Sequence, residues 1–419
     1  MVATLPPITD VPYRVWEIDE SIQELAYLTH NFFRYYGKFP SVLARKLIAE
    51  FALPGHVILD ASAGSGTTLV EAKLAGYHAI GVDLNPLAVL ACTVKCRTYQ
   101  IDELAQRWQL LSRLLDAHAA FFGTLPLTGD RIGGFTPAES RQLAAAHLPV
   151  ALNLDKWFTA TAQHELAIVK ACLLQLPTDT YREFFVLAFC AIVRRVSRAF
   201  DGEIRPHVNR DKRARPVWSA FAKKVGEMLA REAEWVAQAT NDAWSQALVA
   251  DNRSLSMLPT LQHHPIGMIV AHPPYLNSFD YFPAYSLELQ WSQGFPEVWA
   301  GHDLADLRAR ETRAWPATDG AIYEGYFAGQ RALLSGAFGL LAPGGTCCFV
   351  IGDATIRKEL IPVHTLCAAI AQECGFVLEE IIYRTTHYGV GKYAYSHRAD
   401  YHQADGGKKD GVLILRKPG

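Results

Sequence analysis

The sequence predicts an α/β protein built on one doubly wound, mostly parallel sheet of about seven strands, with a helical insert. Three observations predict it. A short β-rich run, Val57-Ile58-Leu59, passes through a glycine-rich turn into an apolar helical stretch and out to a second β-run, Ala79 to Val82, as a compact crossover does. Strand signals then vanish from about residue 98 to 247, where helical periodicity takes over. They return at Ile266 to Val270, Thr346 to Ile351, Val377 to Tyr383 and Val412 to Leu415.

Composition bounds the function. The 419 residues are 50% hydrophobic and 20% charged, enough for a large core in two or three domains and unlike a disordered tail or a small disulfide scaffold. Forty basic and 42 acidic residues leave a formal charge of -2, so a nucleic-acid surface has to be a local basic patch. The eight cysteines contain no CxxC pair and suggest no metal site; free thiols suit a reducing, cytoplasmic setting. Met1 to Tyr13 carries no evident signal peptide. The longest apolar run, Phe184 to Val193, is shorter than the roughly 20 residues that span a bilayer, so no membrane is expected.

In chain order, residues 21–51 read as mostly helical, broken in two by Tyr36-Gly37-Lys38-Phe39-Pro40. Pro54-Gly55 is a turn before the first strand. Asp60-Ala61-Ser62-Ala63-Gly64-Ser65-Gly66-Thr67-Thr68 follows it and opens the helix Thr67 to Ala75. Glycines there let backbone amides approach a ligand, and the carboxyl edge of a parallel sheet is where such ligands bind. Asp83 ends the second strand, where a carboxylate can accept both hydroxyls of a ribose. Leu69 stands where a dinucleotide fingerprint wants its third glycine, and no Gly-Lys-Ser/Thr of a phosphate loop follows. An acidic residue four positions before the first glycine suits a cationic ligand, which points to S-adenosylmethionine with its ammonium and sulfonium. An ordinary glycine turn is the competing account.

Ile101 to Phe122 and Ala220 to Leu248 read as amphipathic helical stretches of the insert. Between them, Arg194 to Lys224 holds ten Lys or Arg against Asp201, Glu203 and Asp211. Ile269-Val270-Ala271-His272-Pro273-Pro274-Tyr275 then runs a buried strand into two prolines, which fix φ and remove two donors. Rigid carbonyls beside the face of Tyr275 suit a flipped-out base, whose exocyclic amine they would bind. A proline-rich turn with a buried tyrosine is the alternative.

Together these motifs resemble the amino-methyltransferases of nucleic acids, which modify the exocyclic nitrogen of cytosine or adenine in DNA. Asp60 to Gly66 and Asp83-Leu84-Asn85-Pro86 match the cofactor motifs, and Tyr36 to Pro40 the element that encloses the methionine end of the cofactor. Asp251-Asn252-Arg253-Ser254-Leu255 is similar to the segment that contacts the cofactor adenine. His272 to Tyr275 with Asn277, Asp280 and Tyr281 resembles the catalytic motif and its extension. Leu341 to Gly345 and Gly411 to Lys417 resemble the later sheet. The resemblance implies a Rossmann-like methyltransferase fold, with residues 1–97 as the cofactor half, 98–247 as a target-recognition insert and 248–419 as the catalytic half.

It also implies site residues. Tyr36, Lys38, Phe39, Asp60, Ala61, Ser62, Gly64, Gly66, Thr67, Asp83, Leu84, Asn85, Asp251 and Asn252 would hold S-adenosyl-L-methionine. His272, Pro273, Pro274 and Tyr275 would be catalytic, with Gly64 and Pro274 meeting at one sheet edge. Arg194, Arg195, Arg198, Arg210, Lys212, Arg213, Asn277, Asp280 and Tyr281 would contact duplex DNA. His387, Lys392, Arg398 and Tyr401, between Thr385 and Lys409, form a second candidate contact region.

His272 departs from the family, which has Asp, Asn or Ser there. A neutral imidazole accepts a hydrogen bond and a protonated one does not, so a rate falling at low pH is expected. Similarity to the Ser-Pro-Pro-Tyr subgroup suggests the N4 of cytosine as target. Adenine N6, an RNA base, and a catalytically degenerate binding subunit are the alternatives. A cognate restriction endonuclease is the partner such enzymes imply; the sequence gives no oligomeric state.

Overall fold

The computed structural model describes residues 11–21, 23–122, 134–213, 215–386 and 409–419. Ten strands lie among them: β1 (Tyr13–Ile18), β2 (Val57–Asp60), β3 (Ala79–Asp83), β4 (Ser245–Val249), β5 (Ile266–Ala271), β6 (Leu341–Gly352), β7 (Ala354–Ile356), β8 (Glu359–Ile361), β9 (Val377–Thr386) and β10 (Asp410–Arg416). Eight make one sheet in the order β1-β9-β10-β6-β5-β2-β3-β4, one strand more than the sequence predicts. Only β10 runs antiparallel, against β6 and β9; the other neighbours are parallel. β7 and β8 form a separate antiparallel pair.

The fold follows from burial on both faces. β2 and β5 are buried at every residue, which is why they read as unbroken apolar runs. Successive side chains then serve opposite layers. Leu59, Ile269 and Phe349 join one core, under the helices Gly320–Leu340 and Val363–Glu373. Ile58, Met268 and Val350 join the other, under the helices Ser41–Phe51 and Thr67–Leu74.

Two regions differ from expectation. Among the described residues of 21–51, two 3₁₀ turns, Glu24–Ala26 and Leu28–Asn31, precede the helix Ser41–Phe51. The helix expected to run to Leu248 stops at Gln238. Asn241 then turns the chain, accepting from Ala243 N at 3.0 Å, and residues 245–249 become β4 by pairing with the open edge of β3.

Between residues 97 and 245 every regular element among the described residues is helical. The helices Ile101–Asp116, Ala160–Gln175, Thr180–Val196 and Val217–Gln238 bury their apolar faces in one core with Phe32, Tyr36, Leu87 and Trp291. This layer is continuous with the rest of the molecule. No helix among the described residues is long and apolar enough to cross a membrane. The region 387–408, with His387, Lys392, Arg398 and Tyr401, lies outside the described residues.

Candidate active site

β2 and β3 end side by side, and their ends carry Asp60 and Asp83. Backbone amides organise both carboxylates. Ser62 N donates to Asp60 Oδ1 at 3.1 Å, Gly64 N to Asp83 Oδ2 at 2.8 Å and Asn85 N to Asp83 Oδ1 at 2.8 Å. Neither aspartate has an ion-pair partner among the described residues, and burial pushes both carboxyls up to about 6. Two carboxylates short of a cation leave a pocket that favours a positively charged ligand.

The loop that carries them is held from below. Gly66 caps the helix Thr67–Leu74 with φ of 77°, and a Cβ there would lie 3.0 Å from Cys92 Cα. Only glycine satisfies both demands. The buried Lys95 donates to Ser65 O, and Cys92 Sγ lies 3.3 Å from Gly64 O.

β5 lies beside β2, with Ala61 N donating to Val270 O at 2.8 Å. Its end delivers His272-Pro273-Pro274-Tyr275 to the same edge. The His272 ring packs between Phe39 and Tyr275, at centroid distances of 5.4 and 5.3 Å. Burial first, and the Arg384 guanidinium second, hold its imidazole down to about 3. Held that low, the imidazole gives no reason for the fall in rate at low pH that the sequence suggests. Neither ring nitrogen of His272, nor the Pro273 carbonyl, has a hydrogen-bond partner among the described residues. The Pro274 carbonyl, by contrast, accepts from Tyr326 Oη at 2.8 Å.

Both walls face one cavity, with about 1020 Å³ of free space counted out to its open mouth. Asp60, Ser62, Gly64, Thr67 and the Asp83-Leu84-Asn85 corner line one side; His272, Pro273 and Pro274 line the other. Lys38, Phe39, Asp251, Asn252 and Tyr281 complete it. Gly64 and Pro274 thus share one sheet edge. Ala61 and Gly66 belong to the same loop without lining the cavity, and the half-buried Tyr275 sits next to the lining His272. Asn252 Nδ2 donates to Ala61 O at 3.1 Å and Ser62 Oγ at 3.0 Å, tying the β4 loop to the β2 loop. Asp251 is already engaged by Arg253, at 2.6 Å. Lys38 Nζ donates to His30 O at 3.0 Å, and burial lowers its ammonium to about 7.

Tyr36 is a correction. It faces away from the cavity, with its hydroxyl donating to Glu203 O at 2.9 Å. Tyr35 lines the cavity in its place, stacked between Tyr281 and Tyr285 at 5.6 and 5.0 Å. The sequence also gave no signal for Glu311, a lining carboxyl that burial raises to about 7.

The chain is similar in sequence to known proteins. The family described as DNA methylase (N6_N4_Mtase) matches residues 7–92. The type II methyltransferase M.BsoBI of Geobacillus stearothermophilus is 24% identical over 406 residues, covering 83% of this chain and 78% of that protein. The type II methyltransferase M.MvaI of Kocuria varians is 22% identical over 279 residues, covering 62% and 58%. This chain is related to the S-adenosylmethionine-dependent DNA amino-methyltransferases. Its cofactor is S-adenosyl-L-methionine. Among solved structures, TrmN from Thermus thermophilus aligns over 91% of this chain and 50% of that one, at 15% identity and TM-score 0.31.

The residues expected to meet DNA divide into two groups. Arg195, Arg210 and Arg213 are exposed, and the half-buried Arg198 donates to Asp155 O at 2.8 Å. Arg194 is corrected: it is buried and pairs with Glu288 at 3.0 Å. It also donates to Tyr36 Oη at 2.7 Å, to Ile204 O at 2.9 Å and to Ala284 O. Lys212 is corrected likewise, since its ammonium donates to Ala199 O and pairs with Asp201, both at 2.7 Å. Asn277 donates to Thr355 O at 3.0 Å and accepts from Ala317 N at 3.2 Å. Asp280 accepts from Ala314 N at 3.0 Å and Trp315 N at 3.3 Å. The last two shape the loop after His272-Pro273-Pro274-Tyr275, so their side chains are consumed internally.

Proposed function

We propose that the chain transfers a methyl group from S-adenosylmethionine to the exocyclic N4 of cytosine in duplex DNA, acting on a base flipped out of the helix. The shared cavity carries this reading: uncompensated carboxylates on one wall, unpaired acceptors on the other. When bound, the cofactor supplies a methyl group activated by its sulfonium charge. Asp60 and Asp83 would hold its cationic and hydroxyl groups, with Asn252 and Phe39 shaping the rest of the pocket. A neutral His272 and the Pro273 carbonyl would accept the two hydrogens of the target amine, fixing its nitrogen in place. Tyr275 would offer a ring on which the base stacks. Catalysis is then a matter of positioning in a closed site, with no covalent intermediate on the protein.

Cytosine is favoured because His272-Pro273-Pro274-Tyr275 with Asn277, Asp280 and Tyr281 resembles the Ser-Pro-Pro-Tyr subgroup. The helical layer 98–247 would read the target, through exposed Arg195, Arg210 and Arg213 and through Arg205, which lies 3.9 Å over the Trp315 ring. Mass spectrometry of nucleosides from DNA of expressing cells tests the reading. N4-methylcytosine is expected, and none with Tyr275→Ala. N6-methyladenine would transfer the reading to adenine; no modified base, from protein that binds the cofactor, would overturn it.

A further inference from the structure

Beside His272, side chains from two strands and from the loop after a third meet. Tyr275 follows β5, Arg384 lies near the end of β9, and Asp410 opens β10. The two antiparallel strands pair Tyr383 with Gly411, which brings Arg384, the residue after, alongside Asp410, the residue before. Arg384 and Asp410 form a two-pronged ion pair, Nε to Oδ1 and Nη2 to Oδ2, both at 2.8 Å. Their side chains are only 8% and 17% exposed. The Tyr275 hydroxyl closes the ring of contacts, donating to Asp410 Oδ1 at 2.9 Å and accepting from Arg384 Nη2 at 2.8 Å.

The ring itself is held from another side. A Cβ on Gly352, at the end of β6, would lie 2.6 Å from a Tyr275 ring carbon, so a glycine is required for the tyrosine to rest on that strand. His272 meets the ring at a centroid distance of 5.3 Å, with the rings at 76°. Packing alone would hold an aromatic ring in a core. A buried ion pair adds little stability over an apolar filling, because desolvating both charges offsets their attraction. What a planar guanidinium fork adds is direction: it fixes the Tyr275 oxygen, and through it the plane of the ring.

We propose that Arg384 and Asp410 are positioning residues for methyl transfer, setting the plane of the Tyr275 ring against which the target base stacks. The proposal rests on the reading of Tyr275 as the stacking face. It also links the two halves of the catalytic wall, since the same guanidinium that holds Tyr275 helps keep His272 unprotonated.

Methyl transfer from radiolabelled S-adenosylmethionine to genomic DNA free of amino-methylated bases tests it, with cofactor affinity measured by calorimetry. Tyr275→Phe keeps the ring and removes the tether. Its kcat is expected to fall about tenfold, the weight of one charge-assisted hydrogen bond felt at transfer, with cofactor Kd within about twofold of wild type. Arg384→Lys keeps the charge but cannot bridge both acceptors, and is expected to be impaired as much. Wild-type kcat in both variants, with Tyr275→Ala inactive, would overturn the positioning role and leave stacking intact. Wild-type kcat in Tyr275→Ala would overturn the stacking reading itself. A fall in cofactor affinity equal to the fall in kcat would mark general structural damage and also overturn the proposal.

Discussion

His272 stands where the motif it resembles carries Asp, Asn or Ser, and its competence as an acceptor depends on one proton. With the imidazole held to about 3, its acceptor lone pair is present from pH 5 to 8, and single-turnover rates at saturating cofactor are expected to be flat over that range. The acid limb belongs elsewhere. Asp60 and Asp83, raised to about 6, take up protons below that pH and lose their attraction for a cation. Calorimetric affinity for S-adenosylmethionine is therefore expected to drop from pH 7 to 5, approaching about tenfold per pH unit for each carboxyl that must be charged. Arg194 makes the contrasting case. Arg194→Ala leaves Glu288 buried and unpaired and should cost about 3–5 kcal/mol in thermal or denaturant unfolding. Arg195→Ala, one residue on and exposed, should stay within about 0.5 kcal/mol.

Among the elements, the loop between β2 and its helix is the least tolerant of change. Gly66→Ala forces a side chain into the left-handed region and against Cys92, so a loss of roughly 1–3 kcal/mol is expected in thermal unfolding, with weaker cofactor binding. This loop and the strands around it were legible because parallel strands covered on both faces write uninterrupted apolar runs. The sheet edges were not. In β1, Arg14 and Glu17 interrupt the apolar pattern, and Arg14 is stabilised from outside by Glu50 and Glu380, at 2.6 and 2.7 Å. β4 is only half-buried, follows a helix with no glycine or proline to end it, and owes its form to the open side of β3. Tyr35 and Tyr36 fall between regular elements, where no period tells which of two adjacent rings turns inward.

For the whole molecule, a formal charge of -2 means that any grip on phosphates comes from a few local cations. Replacing exposed Arg195, Arg210 and Arg213 by alanine is expected to flatten the slope of log K against log salt by about 2–3 for nonspecific duplex DNA, measured by fluorescence titration. The order of motifs along the chain disclosed the sheet and where its ligand edge lies. Counting basic residues disclosed less, because a linear tally cannot show which charges the protein uses on itself, as it does with Arg194 and Lys212. Arg194 also joins three parts of the chain: the helical layer through Ile204, the amino-terminal segment through Tyr36, and the segment after the catalytic strand through Ala284 and Glu288. Swapping that layer for a relative's is consequently no modular exchange. A graft cut near 98 and 247 severs the joint, and only chimeras that bring residues 36, 284 and 288 along with the donor layer inherit an intact hinge-point between reading and chemistry.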